Sequence, residues 1–347
     1  MHLRPDAEQS AFAASLDALL TSADTPGVVR DWSRGDHTRG RALWSRIAEA
    51  GVFALAVPEA YDGLGPRPVE LAVAFVELGR HAVPGPLVET VAAAALLAEL
   101  PDPAPAKRLL PSLAAGESLA TLAPPSQACA LDADAADLRL ALTPRTLRLS
   151  PGHGPVRPSL DPARRLAPLL PGGELLATDP PTRTPTAATS TAPATATPMA
   201  GATTIATATA VALAWARLAT AAQALGVGLA LLDRTVEHVR RRTQFGVAIG
   251  SFQAVKHRLA DARIALEFAR PLVFGAAVTM TPADLAAAKV SACEAAYTTA
   301  RTALQLHGAI GYTAEFDLSL WLTKARALRT AWGSPQECRA AVLGEGG

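Results

Sequence analysis

Between Leu218 and Val239 the chain spaces Leu218, Leu225, Leu229, Leu232, Val236 and Val239 by sevens, fours and threes. That is the period of an α-helix, so these side chains form one unbroken apolar stripe that other helices must cover. The residues that follow supply those helices. A second carries Val255, Leu259, Ala262, Leu266 and Ala269, and a third, Ala-rich, runs from Pro282 to Leu306 and ends at His307-Gly308. A fourth is predicted from near Thr313 past Trp321. Four long helices joined by short turns predict a four-helix bundle over 206–347.

The chain ahead of the bundle divides in two by texture. Up to about residue 118 the pattern is helical. Leu43, Ile47 and Ala50 share a face before a stop at Gly51, and Val69, Val73 and Val76 line a helix with Gly79 near its end. Another helix, "LVETVAAAALLAEL", stops before Pro101. From 119 to 177 short segments read as strands: "LRLAL" near 138, "TLRLS" near 146 and "LLAT" near 175. Residues 178–205 are rich in Thr, Ala and Pro with few large apolar anchors, too little to offset the entropy of ordering them, and are expected to form a linker.

Charge and composition exclude several classes. Lys plus Arg number 32 against 31 for Asp plus Glu, so no global basic field draws nucleic acid. The stretch Val211–Leu232 is interrupted by Arg217 and Gln223 and reads as too weakly apolar for a membrane span. Cys129, Cys293 and Cys338 have neither metal-ligand spacing nor a disulfide framework, and the N-terminus lacks a signal-peptide pattern. A soluble cytoplasmic protein without a metal is expected.

Two motifs then stand out. "RRTQFGVAIGSFQAVKHRLAD", with "LQLHGAIGYTAEFDLSLWLTKARAL", resembles the C-terminal domain of the acyl-CoA dehydrogenase family. "GVFALAVPEAYDGLG" followed by "VELAVAFVELGR" resembles that family's N-terminal helical domain. The likeness covers roughly 30–110 and 210–345. It implies a mainly α fold with an N-terminal helical domain, a reduced middle β region and the C-terminal bundle. It also implies FAD as cofactor and an acyl-CoA thioester as substrate. In these flavoproteins the Arg-x-Gln-Phe-Gly turn lies against the FAD of a neighbouring subunit. Arg242 is thereby implied at the pyrophosphate, with Gln244, Phe245 and Gln253 nearby, while Gln305, His307 and Gly308 are implied at the adenosine side. The chemistry is sensible in itself, since arginine forks match phosphate oxygens and glycine lets backbone approach a bulky ligand. Taken singly, each feature has a plainer account: arginines at a helix C-terminus complement its dipole, and Phe245-Gly246 makes an ordinary helix stop.

The same resemblance exposes what is missing. Family members remove a proton α to the thioester with a glutamate, held in a Tyr-Glu-Gly-Thr/Ser-x-Gln stretch. Here "TAWGSPQECR" occupies those positions; Gly333, Ser334 and Gln336 match, but Trp332 stands where the base belongs. A second branch carries the glutamate on the first bundle helix before an arginine, and that site reads Ala216-Arg217. Ala309 replaces the second glycine of the FAD loop, and "TLAPPSQACA" is a worn form of the middle domain's Thr-Glu-Pro segment.

The leading expectation is therefore a base-lacking subunit that completes the FAD site of a homologous, catalytically complete partner. A stand-alone dehydrogenase with a relocated base is the alternative, Glu315 or Asp317 being the nearest acids, although acids in a first helical turn ordinarily serve the dipole. A flavin-free oligomerisation scaffold, homo-oligomeric or otherwise, is the third.

Overall fold

The structure is a computed structural model that describes residues 5–124, 128–179 and 204–344. Six helices open the chain: α1 (Ala7–Thr21), α2 (Thr25–Ser33), α3 (Thr38–Glu49), α4 (Pro68–Arg80), α5 (Leu87–Ala98) and α6 (Pro103–Ala114). Their starts are written in the sequence. Asp6 caps α1 through a reciprocal box with Gln9, while Asp24 and Asp102 cap α2 and α6 ahead of early prolines. The short segment Phe53–Ala56, between α3 and α4, is a buried 3₁₀ turn.

The middle region has six short strands: β1 (Ala120–Ala123), β2 (Ala130–Leu131), β3 (Leu138–Leu142), β4 (Thr146–Leu149), β5 (Leu166–Ala167) and β6 (Glu174–Thr178). Strands β1-β3-β4-β6 form one sheet, parallel only between β1 and β3, and β2 pairs with β5. The three expected strands are there; the other three are pairs or quartets of residues too short for a periodic signal. Thr90 on α5 stitches this region to the helices, its Oγ1 donating to Ala120 O at 3.0 Å and accepting from Ala120 N at 3.1 Å.

The last part runs α7 (Ile205–Arg241), β7 (Thr243–Gln244), β8 (Val247–Ala248), α8 (Gln253–Thr279), α9 (Pro282–His307), α10 (Leu318–Leu328) and α11 (Pro335–Leu343). The predicted stripe is real: Leu218, Leu225, Leu229, Leu232 and Val239 are buried. Helix α7 packs on α8, α9 and α10, and equally on α4 and α5, so it is shared between the bundle and the N-terminal helices. By length and hydropathy it is apolar enough to cross a bilayer, contrary to the reading of 211–232 as too weakly apolar, but its burial among those five helices makes it a core helix. Two expectations about the bundle need correction. The fourth helix starts at Leu318 and not near Thr313, because Gly308–Tyr312 winds into a 3₁₀ turn and the Thr313 hydroxyl donates back to Ile310 O. Helix α11, capped by a Ser334–Glu337 box, is an addition that packs on α9.

Of the linker expected at 178–205, residues 180–203 lie outside the described residues. The two flanks meet: Ile205 N donates to the Asp179 carboxylate at 3.0 Å, adding a second cap to α7 beside that of Thr204.

Candidate functional site

Two places gather the residues singled out by sequence. The first is the outer end of the bundle. Helix α7 ends in Arg240 and Arg241, cations that complement its dipole, with His238 in the same last turn, and Arg242 is its C-cap. The chain then doubles back as a two-residue hairpin, Thr243 facing Ala248 and Gln244 facing Val247. Phe245 (φ +53°) and Gly246 (φ +79°) form its loop, both in the left-handed region as a type I′ turn requires. An aromatic residue is strained there. Phe245 is also 92 % exposed, touching only Phe252 edge-on at 6.3 Å among aromatic rings.

The far motif comes to the same end. Arg242 Nη1 donates to His307 O at 2.9 Å, and Gly308 turns the chain with φ +66°. Gln305 is exposed, and its side-chain oxygen accepts from Arg258. Arg242, Gln244, Phe245, Gln253 and Gln305 all face outward, and Ala309 beside them is exposed as well. His307 is different. Its imidazole is buried, Nδ1 donates to Ala303 O at 2.8 Å, and the ring stacks on His238 at 4.0 Å. What His307 presents outward is backbone. Burial, with His307 and Arg242 close by, pushes His238 down to about 4, and burial lowers His307 too, so the stacked pair is neutral at physiological pH.

This face fits the phosphates of a dinucleotide. Arg242 spends one donor on His307 O and is otherwise exposed, Gly246 has no atom within 4 Å of where a Cβ would stand, and at Gly308 the nearest such atom is Arg242 Nη1 at 3.8 Å. Backbone and guanidinium are thus open together, the donor set on which FAD's pyrophosphate would rest.

The second place is internal, where Ala216-Arg217 and Trp332-Gly333, the positions the family resemblance implies for a base, come together. Ala216 is fully buried on α7. The neighbouring Arg217 guanidinium lies against Gly333, within 3.6 Å of where a Cβ there would stand. Trp332 is 7 % exposed, has φ +57°, and donates from Nε1 to Glu89 Oε1 at 3.2 Å. Lys289, fully buried, donates to Arg329 O at 2.8 Å and to Gly333 O, fixing the α10–α11 loop from below. Neither of the two positions that the family resemblance gives to the base is itself a carboxylate: they are Trp332 and Ala216. Glu315 is exposed in a groove of about 340 Å³, with Arg30 donating to its backbone oxygen at 3.0 Å. Asp317 pairs with Arg30 at 2.6 Å. No hydrogen bond among the described residues joins either acid to Trp332.

Sequence reasoning missed Glu89. The signal was present: it is the one charged residue in the apolar run from Leu87 to Leu97, and charged residues are almost never buried without a reason. Burial raises its carboxyl well above the usual carboxylate range. Also missed was the buried pair Lys324–Asp161, 3.6 Å apart, which ties α10 to the middle region.

The chain as a whole is similar to known proteins. Residues 6–117 match the acyl-CoA dehydrogenase N-terminal domain, and residues 206–344 match the acyl-CoA dehydrogenase C-terminal domain. Acyl-CoA dehydrogenase IpdE2 of Mycobacterium tuberculosis is 32% identical over 339 residues, covering 96% of each chain. Among solved structures, the ChsE4-ChsE5 complex from Mycobacterium tuberculosis superposes with a TM-score of 0.80 at 22% identity, covering 99% of this chain and 98% of that one. A variant of the Tcur3481-Tcur3483 steroid ACAD gives 0.78 at 23% identity, covering 98% of each. With both terminal domains matched and a relative aligned almost end to end, the chain belongs to the acyl-CoA dehydrogenase family, oxidoreductases that act on CH–CH bonds.

Proposed function

We propose that this chain is the supporting subunit of a heteromeric acyl-CoA dehydrogenase, lending its outer face to the FAD site of a catalytically complete homologue. The observation that carries the reading is a contrast within one molecule. Ala216 and Trp332 take both base positions, whereas the Arg242 hairpin and the Gln305 turn stay open and together. When bound, FAD supplies the hydride acceptor that thioester oxidation needs. Arg242 would hold its phosphates, with Gln244 and Phe245 beside them, and the backbone at Gly308 would leave room for the adenosine end. The α-proton is removed by a carboxylate of the partner. The substrate is the CoA thioester of a steroid-derived acid. That choice is supported by the similarity to a steroid ACAD and to the two-component ChsE4-ChsE5 complex. We place the assembly in the cytoplasm, in keeping with three unpaired cysteines.

Flavin absorbance tests the reading. The chain purified alone is expected to be colourless, and co-expressed with an acyl-CoA dehydrogenase chain encoded beside it, to yield a yellow complex. Yellow protein alone that bleaches with an acyl-CoA would mean an independent enzyme.

A further inference from the structure

Two unfavourable features meet at one contact inside this molecule. Trp332 holds a bulky aromatic in the left-handed region, φ +57°, followed by Gly333 at φ +129°. Such backbone persists only where its surroundings over-determine it. Against it lies Glu89, 4 % exposed, in no ion pair within 4 Å among the described residues. Its Oε2 has no hydrogen-bond partner, and the indole Nε1 is the one side-chain donor to Oε1. A buried carboxyl half satisfied in this way is costly, and a leucine there would not be.

The surroundings fix both partners. Glu89 sits in the first turn of α5, and its neighbour Thr90 is bonded twice to β1. The Trp332 loop is held below by Lys289 and flanked by Arg217, and Ser334 starts α11 immediately after it. The contact therefore lies where the N-terminal helices, the middle sheet and the bundle converge, at the position the family gives to its base.

We propose that Trp332 and Glu89 form a latched plug: the indole fills this chain's own acyl-binding space, and Glu89 is the positioning residue that holds it there. The plug explains how a chain of this fold takes no thioester of its own. It deepens the subunit reading by saying what became of the vacated site, and rests on that reading only for the identity of the space. The dependence is mutual. Without the indole, Glu89 Oε1 loses its one side-chain donor and neither oxygen has one; without Glu89, a buried N–H is orphaned. Burial raises the Glu89 carboxyl above the usual carboxylate range, against the opposing pull of the Arg164 and Lys324 charges.

A double-mutant cycle on the isolated full-length chain tests the latch without flavin or partner. Glu89→Leu is expected to lower the melting temperature when Trp332 is present, because it strands the indole N–H. In a Trp332→Phe background the same change is expected to raise it, because it removes an acid with no partner left. Glu89→Gln, whose amide oxygen still accepts, is expected to behave like wild type beside Trp332. A Glu89→Leu effect of one sign in both backgrounds overturns the latch. The plug has its own readout. Trp332→Gly is expected to regain stability in millimolar indole and less in benzofuran, which has the shape without the N–H, and Glu89→Leu is expected to erase that preference. Equal rescue by the two ligands, or none, overturns it. In the co-expressed complex, sites for a non-oxidisable acyl-CoA thioether are expected to rise from one to two per pair of chains on Trp332→Gly. Two sites already in wild type would overturn the plug while leaving the latch cycle and the subunit reading to stand on their own results.

Discussion

At the scale of single residues, burial sets the chemistry more than sequence neighbours do. Asp132 lies in "LDADAADL", one of three aspartates close together in sequence. In the fold it is fully buried; Oδ1 accepts from Arg165 N at 3.1 Å and Oδ2 has no partner. Burial pushes its carboxyl up to about 8 against an ordinary value of 3.8. The folded state therefore keeps a proton that the unfolded chain releases above about pH 4, and stability must fall as pH rises from there toward 8. One such group contributes a slope of at most ~1.4 kcal/mol per pH unit. Asp132→Asn, which cannot ionise, is expected to flatten urea-unfolding free energy between pH 5 and pH 7.5 by up to ~3 kcal/mol relative to wild type. Parallel curves for the two proteins would refute the assignment. Glu89 and Asp132 share the reason they were hard to read: which acids are desolvated is decided by contacts distant in sequence.

At the scale of elements, helix existence was largely legible and helix purpose was not. Helices α4, α7 and α8 follow from their apolar spacing, α9 from its Ala-rich run closed by His307-Gly308, and the strands at 138, 146 and 175 from short strand-like segments. Gly79 was legible only as a residue near a helix end. Its role is a close crossing. A Cβ at Gly79 would stand 2.1 Å from Gln223 O on α7, and one at Gly226 would stand 1.9 Å from Val76 O on α4. The two glycines let these helices touch backbone to backbone, which joins the N-terminal helices to the bundle. Gly226→Ala is expected to destabilise the protein by ~1–3 kcal/mol or more, since overpacking at backbone contact cannot relax through a rotamer. Adding Gly79→Ala is expected to cost less than it does alone, because the crossing is already forced apart. Full additivity of the two in thermal unfolding would show that the glycines do not share one contact.

At the scale of the whole molecule, one surface does not suit a chain acting alone. The inward face of α8 behaves as its spacing predicts, with Ala262, Leu266 and Ala269 buried. The opposite face carries Ile264, Phe268 and Leu272, which are 52 %, 71 % and 44 % exposed and four residues apart. A one-sided helical template hid this second stripe, because a helix apolar on both sides has a partner on both sides. Isolated exposed apolar residues are ordinary, but an ordered row of them with Phe245 and Phe252 at one end marks an interaction surface. If the homologous subunit covers this row, then the Arg242 hairpin, which leads directly into α8, is carried to the partner's flavin by the same contact. Phe268→Asp is then expected to abolish co-purification with the partner and the yellow colour together. It should leave the melting temperature of the isolated chain within about a degree, since exposed substitutions away from special contacts stay within ~0.5 kcal/mol. Size-exclusion chromatography with absorbance at the flavin band reads both losses at once. A variant that still elutes as the yellow complex would move the interface off α8, and with it the route by which Arg242 reaches the cofactor.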